Sequence, residues 1–122
     1  MIKWKSDTDF FFALIKKDDR LHNSAVSTYL KYKGSISTSL AVIMEILIIS
    51  KKLNLGAKEI VEPILEIAKI DAVEPSEIAL AAYYIDERNV SVFDAFHAAL
   101  SNKEIISSDH IYDSLGIMRI KF

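Results

Sequence analysis

The chain has 122 residues, 51% of them hydrophobic and 26% charged, which suits one globular domain with a sizeable core and excludes a disordered chain. Lys and Arg number 15 against 17 Asp and Glu, for a net charge of −2 and a pI near 5.9, so the chain does not coat duplex nucleic acid by bulk charge. With no Cys there is no disulfide, thiolate metal site or cysteine nucleophile.

Five short β-leaning runs alternate with helical patterns. In chain order the expected elements are a strand at 2–6, helices at 8–17 and 21–31, a strand at 35–38 and helices at 40–52 and 57–68. A strand at 69–73, helices at 75–87 and 93–102, a strand at 104–107, a helix at 110–115 and a strand at 117–122 complete the chain. Strands separated by helices form βαβ crossovers, so the expected fold class is α/β, a single domain over 1–122 with a mostly parallel central sheet flanked by helices. Pro75 suits the first turn of its helix, where a missing N–H costs nothing. Pro63 falls inside a helical pattern and predicts a bend there, or two short helices. The first nine residues lack a continuous apolar core, and the apolar run 40–49 is broken by Glu45 and shorter than the roughly 20 residues a bilayer needs. The expectation is a cytoplasmic protein, neither secreted nor in the membrane.

Four acids stand out by position. Glu45 is the only charge within 39–50, a segment apolar around nearly its whole circumference, which predicts a buried helix. A buried carboxylate without compensation costs several kcal/mol, roughly, so Glu45 is either ion-paired, at the solvent edge, or a metal or catalytic group. Asp94 is likewise the only acid in 90–100, and Ser91-x-x-Asp94 also reads as a capping box. Asp7 and Asp109 each follow a strand, where one acid alone is most simply an N-cap. Ligands of open α/β sheets bind at the carboxyl ends of strands, so the four acids are candidates to converge on a hard cation such as Mg²⁺. Thr8, Asp9, Ser107 and Asp113 are candidate auxiliaries, the two hydroxyls as caps or phosphate contacts. His97 is expected at the rim or on the surface, and the three His lack zinc-site spacing. Three successive rings, Phe10, Phe11 and Phe12, span about 200° of a helix, so one is expected to face outward with Tyr29 and Tyr32 as part of a protein interface.

Taken in order, these segments resemble the PIN domain and, more narrowly, VapC-like toxins. Asp7-Thr-Asp9-Phe-Phe-Phe-Ala-Leu is similar to the family's opening acidic run, and Asp19-Arg-Leu-His22 with Ala25 to the start of its second helix. Ile36-Ser-Thr38 leading to Glu45-Ile-Leu, Ser91-Val-Phe-Asp94-Ala-Phe-His-Ala-Ala, and Ile105-Ile-Ser-Ser-Asp109 resemble the remaining signatures. The resemblance implies a three-layer PIN-like fold and a metal-dependent endoribonuclease that hydrolyses RNA phosphodiesters. It implies Asp7, Glu45, Asp94 and Asp109 as the catalytic quartet and Asp7, Asp94 and Asp109 as ligands to Mg²⁺ or Mn²⁺. It further implies a homodimer held inactive by a VapB-like antitoxin. Lys5-Ser6 and Ser107 depart from the commoner family residues without removing a carboxylate. Two alternatives stand beside it. One is a catalytically inactive PIN-like binding or assembly module. The other is a haloacid-dehalogenase-like phosphatase, to whose Asp-x-Asp motif Asp7-x-Asp9 is similar although Phe10–Phe12 replace the expected small residues.

Overall fold

Two parallel sheets, joined by one bridge, organise the chain. A computed structural model describes residues 3–122. The first sheet pairs β2 (Ile36–Ser39) in its centre with β1 (Trp4–Lys5) and β3 (Lys69–Asp71). The second pairs β4 (Glu104–Ile106) with β5 (Met118–Ile120). A parallel bridge from Ser6 to Ile106 joins them, so the order across the molecule is β3-β2-β1-β4-β5. The chain leaves β1 toward β2 on one side and β4 toward β5 on the other. The carboxyl ends of β1 and β4 therefore flank the reversal in strand order, where open α/β sheets place their ligands.

The helices are α1 (Thr8–Ile15), α2 (His22–Tyr32), α3 (Leu40–Lys52), α4 (Ala57–Ile67), α5 (Pro75–Arg88), α6 (Val92–Leu100) and the single turn α7 (Ile111–Ser114). α1 packs on α2, α3 on α4, and α5 on α6, which also lies against α3. The expected elements are all present with ends within two residues, apart from Ile2, which lies outside the described residues. Their caps explain where they start. The Asp7 side chain accepts from the Thr8 N–H, Ser39 from Val42, and Ser91 from Asp94. Glu74 and Glu77 form a reciprocal capping box ahead of Pro75, and Asn89 in the left-handed region ends α5.

Three expectations are corrected here. First, of the two alternatives expected at Pro63 the pair of short helices is set aside, since α4 runs through it as one helix. Pro63 and Glu59, whose carbonyl loses its helical donor, are both exposed residues, and burial of Ile60 and Ile64 holds the helix in place. Secondly, Phe10–Phe12 are not a surface patch. Phe10 and Phe11 are fully buried and meet edge to face at 5.6 Å, and Phe10 meets Phe122 at 5.3 Å. Phe12 is half-buried at the wall of the acidic cleft described below, and Tyr29 and Tyr32 pack against the core. Thirdly, α3 is not buried all round. Val42, Ile43, Ile46 and Ser50 face the core, while Leu40, Met44, Leu47 and Ile48 form an exposed stripe at helical spacing. That stripe borders an almost wholly apolar groove of about 430 Å³ between α3, α5 and α6, where Val73, Ile78, Phe93 and Phe96 complete the lining.

Candidate active site and metal centre

The bridge that joins the sheets also builds the site. Asp7 directly follows the Ser6 bridge, and its N–H donates to the Ile106 carbonyl at 3.0 Å, so the ends of β1 and β4 are fixed together. Helix α3 brings Glu45 to this point and α6 brings Asp94 and His97. The result is a cleft of about 370 Å³ into which Asp7, Asp9, Asp19, Glu45, Asp94 and Asp109 all open. His97 is the only cation-forming side chain on its walls, and no Lys or Arg lines it among the described residues.

Asp7 is the most constrained of these acids. It is 5% exposed, and its Oδ1 accepts from the Thr8 N–H at 2.8 Å. Its Oδ2 accepts from the Tyr112 hydroxyl at 2.8 Å and from the Ser107 hydroxyl at 3.0 Å. Burial raises its pKa to about 6, and the charge of Asp9 adds to this, against the opposing pull of His97 and the hydrogen bonds. Burial also pushes Asp9 upward, partly offset by donation from the Ser108 N–H and hydroxyl. Burial makes the Tyr112 hydroxyl a very weak acid, and neighbouring Asp7 reinforces this, so it serves as a donor throughout.

Glu45 is half-buried and has no Lys or Arg partner among the described residues. Its Oε1 accepts from the Thr8 hydroxyl at 2.5 Å and lies 3.0 Å from His97 Nε2. Burial raises its pKa, but the two hydrogen bonds outweigh it and the net direction is down. For His97 burial lowers the pKa, while Glu45 and Asp7 outweigh it and raise it. His97 Nε2 is also 3.8 Å from Asp7 Oδ1, and its Nδ1 is buried without a protein partner among the described residues.

The sequence-derived candidates thus divide. Asp7, Glu45, Asp94 and Asp109, with Asp9, come together at one cleft. The capping box expected at Asp94 is only half made. Ser91 accepts from the Asp94 N–H at 3.1 Å, and the Asp94 carboxylate accepts no bond in return among the described residues. Asp109 is exposed and caps the turn of α7 by accepting from the Ile111 N–H at 3.0 Å. The Thr8 and Ser107 hydroxyls are both engaged inside the protein. Ser107 is fully buried beneath Asp7, and the Thr8 hydroxyl is directed to Glu45. Asp113 is absent from the cleft. Arg119 grips it at 2.9 and 3.2 Å, and His110 joins the pair at 3.2 Å. The Arg119 hydrogen bond and then that from His110 hold the Asp113 pKa down at about 2.

Two functional positions escaped the sequence reading. His97 is 3% exposed rather than a surface group, and lies at the spacing of one helical turn from Asp94. Tyr112 reaches Asp7 across 105 positions of sequence, a contact with no local signal.

The donor set fits a divalent cation. Oxygen or nitrogen atoms of Asp7, Glu45 and His97 lie within 4.8 Å of one another, and four further carboxylates, Asp9, Asp19, Asp94 and Asp109, close the same cleft without a balancing Lys or Arg among the described residues. Like charges held this close are costly unless protonated or neutralised, and neighbouring carboxylates add to the burial that chiefly pushes Asp7 and Asp9 upward.

Residues 6–113 match the PIN domain family. The chain belongs to the PIN domain family. No curated protein matches it by sequence. Among solved structures, this PIN domain is similar to VapC20 of Mycobacterium tuberculosis, described as a sarcin–ricin loop cleaving toxin. The TM-score is 0.81 at 16% identity, over 97% of this chain and 98% of that one. A toxin–antitoxin complex from Klebsiella pneumoniae gives 0.74 at 15% identity, covering 97% and 96%. VapBC2 of Rickettsia felis, bound to a DNA fragment from its promoter, gives 0.71 at 12% identity, covering 100% and 99%. At these identities the likeness establishes the three-layer α/β fold of this PIN domain. The phosphatase alternative is thereby corrected, and the geometry agrees. Both Asp7 oxygens are engaged by donors and the carboxylate is buried, a poor setting for a nucleophile.

Proposed function

We propose that this PIN domain, spanning 1–122, is a metal-dependent endoribonuclease and the toxin of a VapBC-type pair. The single observation that carries this reading is the cleft of six carboxylates without Lys or Arg at the β1–β4 switch point. An inactive binding module has no need to gather so many like charges at one place. The toxin assignment is supported by family membership and by the nature of the structural neighbours, a sarcin–ricin loop cleaving toxin and toxin–antitoxin complexes.

Asp7, Asp94 and Asp109 would hold a Mg²⁺ or Mn²⁺ ion, with Glu45 completing the set directly or through water. When bound, a divalent cation supplies Lewis acidity to the phosphate and lowers the pKa of water to that of a nucleophile. The chain's own residues do the remainder. Tyr112, Ser107 and the Thr8 N–H hold the Asp7 carboxylate in place despite its burial. Glu45, with its pKa drawn down, is an anion at neutral pH and is placed to orient an attacking water. Asp9 secures the loop after β4 by accepting from the Ser108 N–H at 2.8 Å, which sets the approach of Asp109.

No helix of the described residues is long and apolar enough to cross a membrane, and a cytoplasmic site of action belongs to this reading. Its partners are RNA, a VapB-like antitoxin and a second copy of the chain. The second copy seats on the exposed α3 stripe and apolar groove. Met44 is 49% and Val92 58% exposed there, with no charged residue in the groove lining. Small total-RNA substrates incubated with Mn²⁺ are expected to be cleaved by the wild type and not by Asp94→Asn or in EDTA. Cleavage that survives both would refute the assignment. Asp94→Asn is expected to unfold cooperatively; an unfolded variant would mean that Asp94 serves its helix instead.

A further inference from the structure

The loop that carries Asp109 has little of its own to hold it. It joins β4 to α7, and α7 is a single turn, well short of the roughly 12–15 residues a helix needs to stand alone. Asp9 accepts from the Ser108 N–H at 2.8 Å, and the Asp109 N–H donates to Ser107 Oγ at 3.0 Å. A further hold comes from Arg119 of β5, whose side chain is only 5% exposed. Its Nε donates to Asp113 Oδ1 at 2.9 Å and its Nη2 to Asp113 Oδ2 at 3.2 Å. Nη2 also lies 3.0 Å from His110 Nδ1, and Nη1 donates to the Ser107 carbonyl at 3.4 Å.

One guanidinium thus touches the chain both before and after Asp109, and reaches α7 as well. Arg119 stands opposite Ile105 in the β4–β5 pair, so the fork is anchored beside the strand from which the loop departs. A planar guanidinium offers five donors in fixed directions and serves several acceptors at once, which the point charge of Lys does not match. Arg119 does not line the cleft, and Asp109 accepts none of its bonds, so its effect on the site passes through the loop. Stability alone accounts poorly for the arrangement, because an ion pair with a half-exposed partner contributes little. Within the pair the guanidinium is the decisive half. Asp113 is 51% exposed, and Asn in its place still accepts a bond, whereas removing the guanidinium releases Ser107, His110 and Asp113 together.

We propose that Arg119 is a positioning residue of this site, whose fork fastens the backbone on both sides of Asp109 to β5 and so fixes where the Asp109 carboxylate stands in the cleft. The inference rests on the metal-nuclease reading and adds to it a group outside the cleft. Asp109 is the most exposed of the four expected acids and sits on a loop, so its place depends on what grips that loop. Asp9 grips it at Ser108, and Arg119 grips it at Ser107 and His110.

The test titrates the full chain with Mn²⁺ in a calorimeter. Arg119→Ala is expected to lose about tenfold or more in affinity, and Arg119→Lys, which keeps the charge without the fork, at least about threefold. A double-mutant cycle separates positioning from general damage. In the Asp109→Asn background, titrated at millimolar Mn²⁺, adding Arg119→Ala should change affinity by under about twofold, because the effect runs through Asp109. Arginine-selective ¹⁵N spectra of the metal-free wild type should show Arg119 Nη protons in slow rotation, a reading independent of how any variant folds. Unaltered affinity in a folded Arg119→Ala, full affinity in Arg119→Lys, additive losses in the cycle, or a freely rotating guanidinium would each overturn the proposal. Failure of the wild type to bind Mn²⁺ would overturn the nuclease reading beneath it as well, and so marks a different failure.

Discussion

Replacing Asp7 by Asn should strengthen the fold while removing the metal site. Burial raises the Asp7 pKa from 3.8 to about 6. The folded protein thus keeps a proton that the unfolded chain has released. The sign follows: stability present below the unfolded value is lost as pH rises through the folded one. At roughly 1.4 kcal/mol per pH unit, holding Asp7 ionised above pH 7 costs the metal-free protein about 3 kcal/mol. Asn carries no charge and can still accept from the Thr8 N–H, but its amide meets the Tyr112 and Ser107 hydroxyls less well than a carboxylate, which costs back ~1 kcal/mol. Urea unfolding in EDTA is therefore expected to find Asp7→Asn more stable than wild type by about 2 kcal/mol at pH 8, and by under about 1 kcal/mol at pH 5. Saturating Mn²⁺ should reverse the ranking, since about 100 Kd of ligand adds roughly 2.7 kcal/mol to a protein that binds it and nothing to one that does not. An Asp7→Asn variant less stable than wild type at pH 8 in EDTA would refute the reasoning, and so would a wild type whose stability rises from pH 5 to 8.

Three further outcomes are expected. Tyr112→Phe removes one hydroxyl from Asp7 and should lower Mn²⁺ affinity by about 10–100-fold in calorimetry with cooperative unfolding retained; unchanged affinity would mean the bond is incidental. Met44→Asp places a charge in the exposed α3 stripe, and sedimentation is expected to show a dimer for the wild type and a monomer for the variant. Asp113→Asn breaks the Arg119 pair outside the cleft and should leave Mn²⁺ affinity within about threefold, because exposed pairs contribute little and the residue contacts no site group.

The four acids were legible by position: Glu45 and Asp94 are lone charges in apolar helices, and Asp7 and Asp109 stand where strands end, the place where open α/β sheets bind ligands. The supporting groups were not. Ser107 and Thr8 look like caps in sequence and prove to be buried donors to Asp7 and Glu45. Asp113 sits four residues after Asp109, yet α7 is a single turn and Arg119 draws the side chain away. A run of three Phe suggested exposure, but α1 is enclosed by the core and by the C-terminal Phe122, so the rings are absorbed and the exposed apolar surface appears on α3 instead.

Sequence by itself determined the succession of strands and helices and their parallel arrangement, since periodicity, caps and short crossovers act over a few residues and leave their mark locally. It also determined that carboxylates stand at strand ends and in apolar helices. Tertiary structure alone decided which of them share a cleft, that His97 turns inward to Glu45, and that Tyr112 lies under Asp7. Those relations join residues 52 and 105 positions apart through the Ser6–Ile106 bridge and the packing of α3 on α6, and no local pattern records a contact made at that separation.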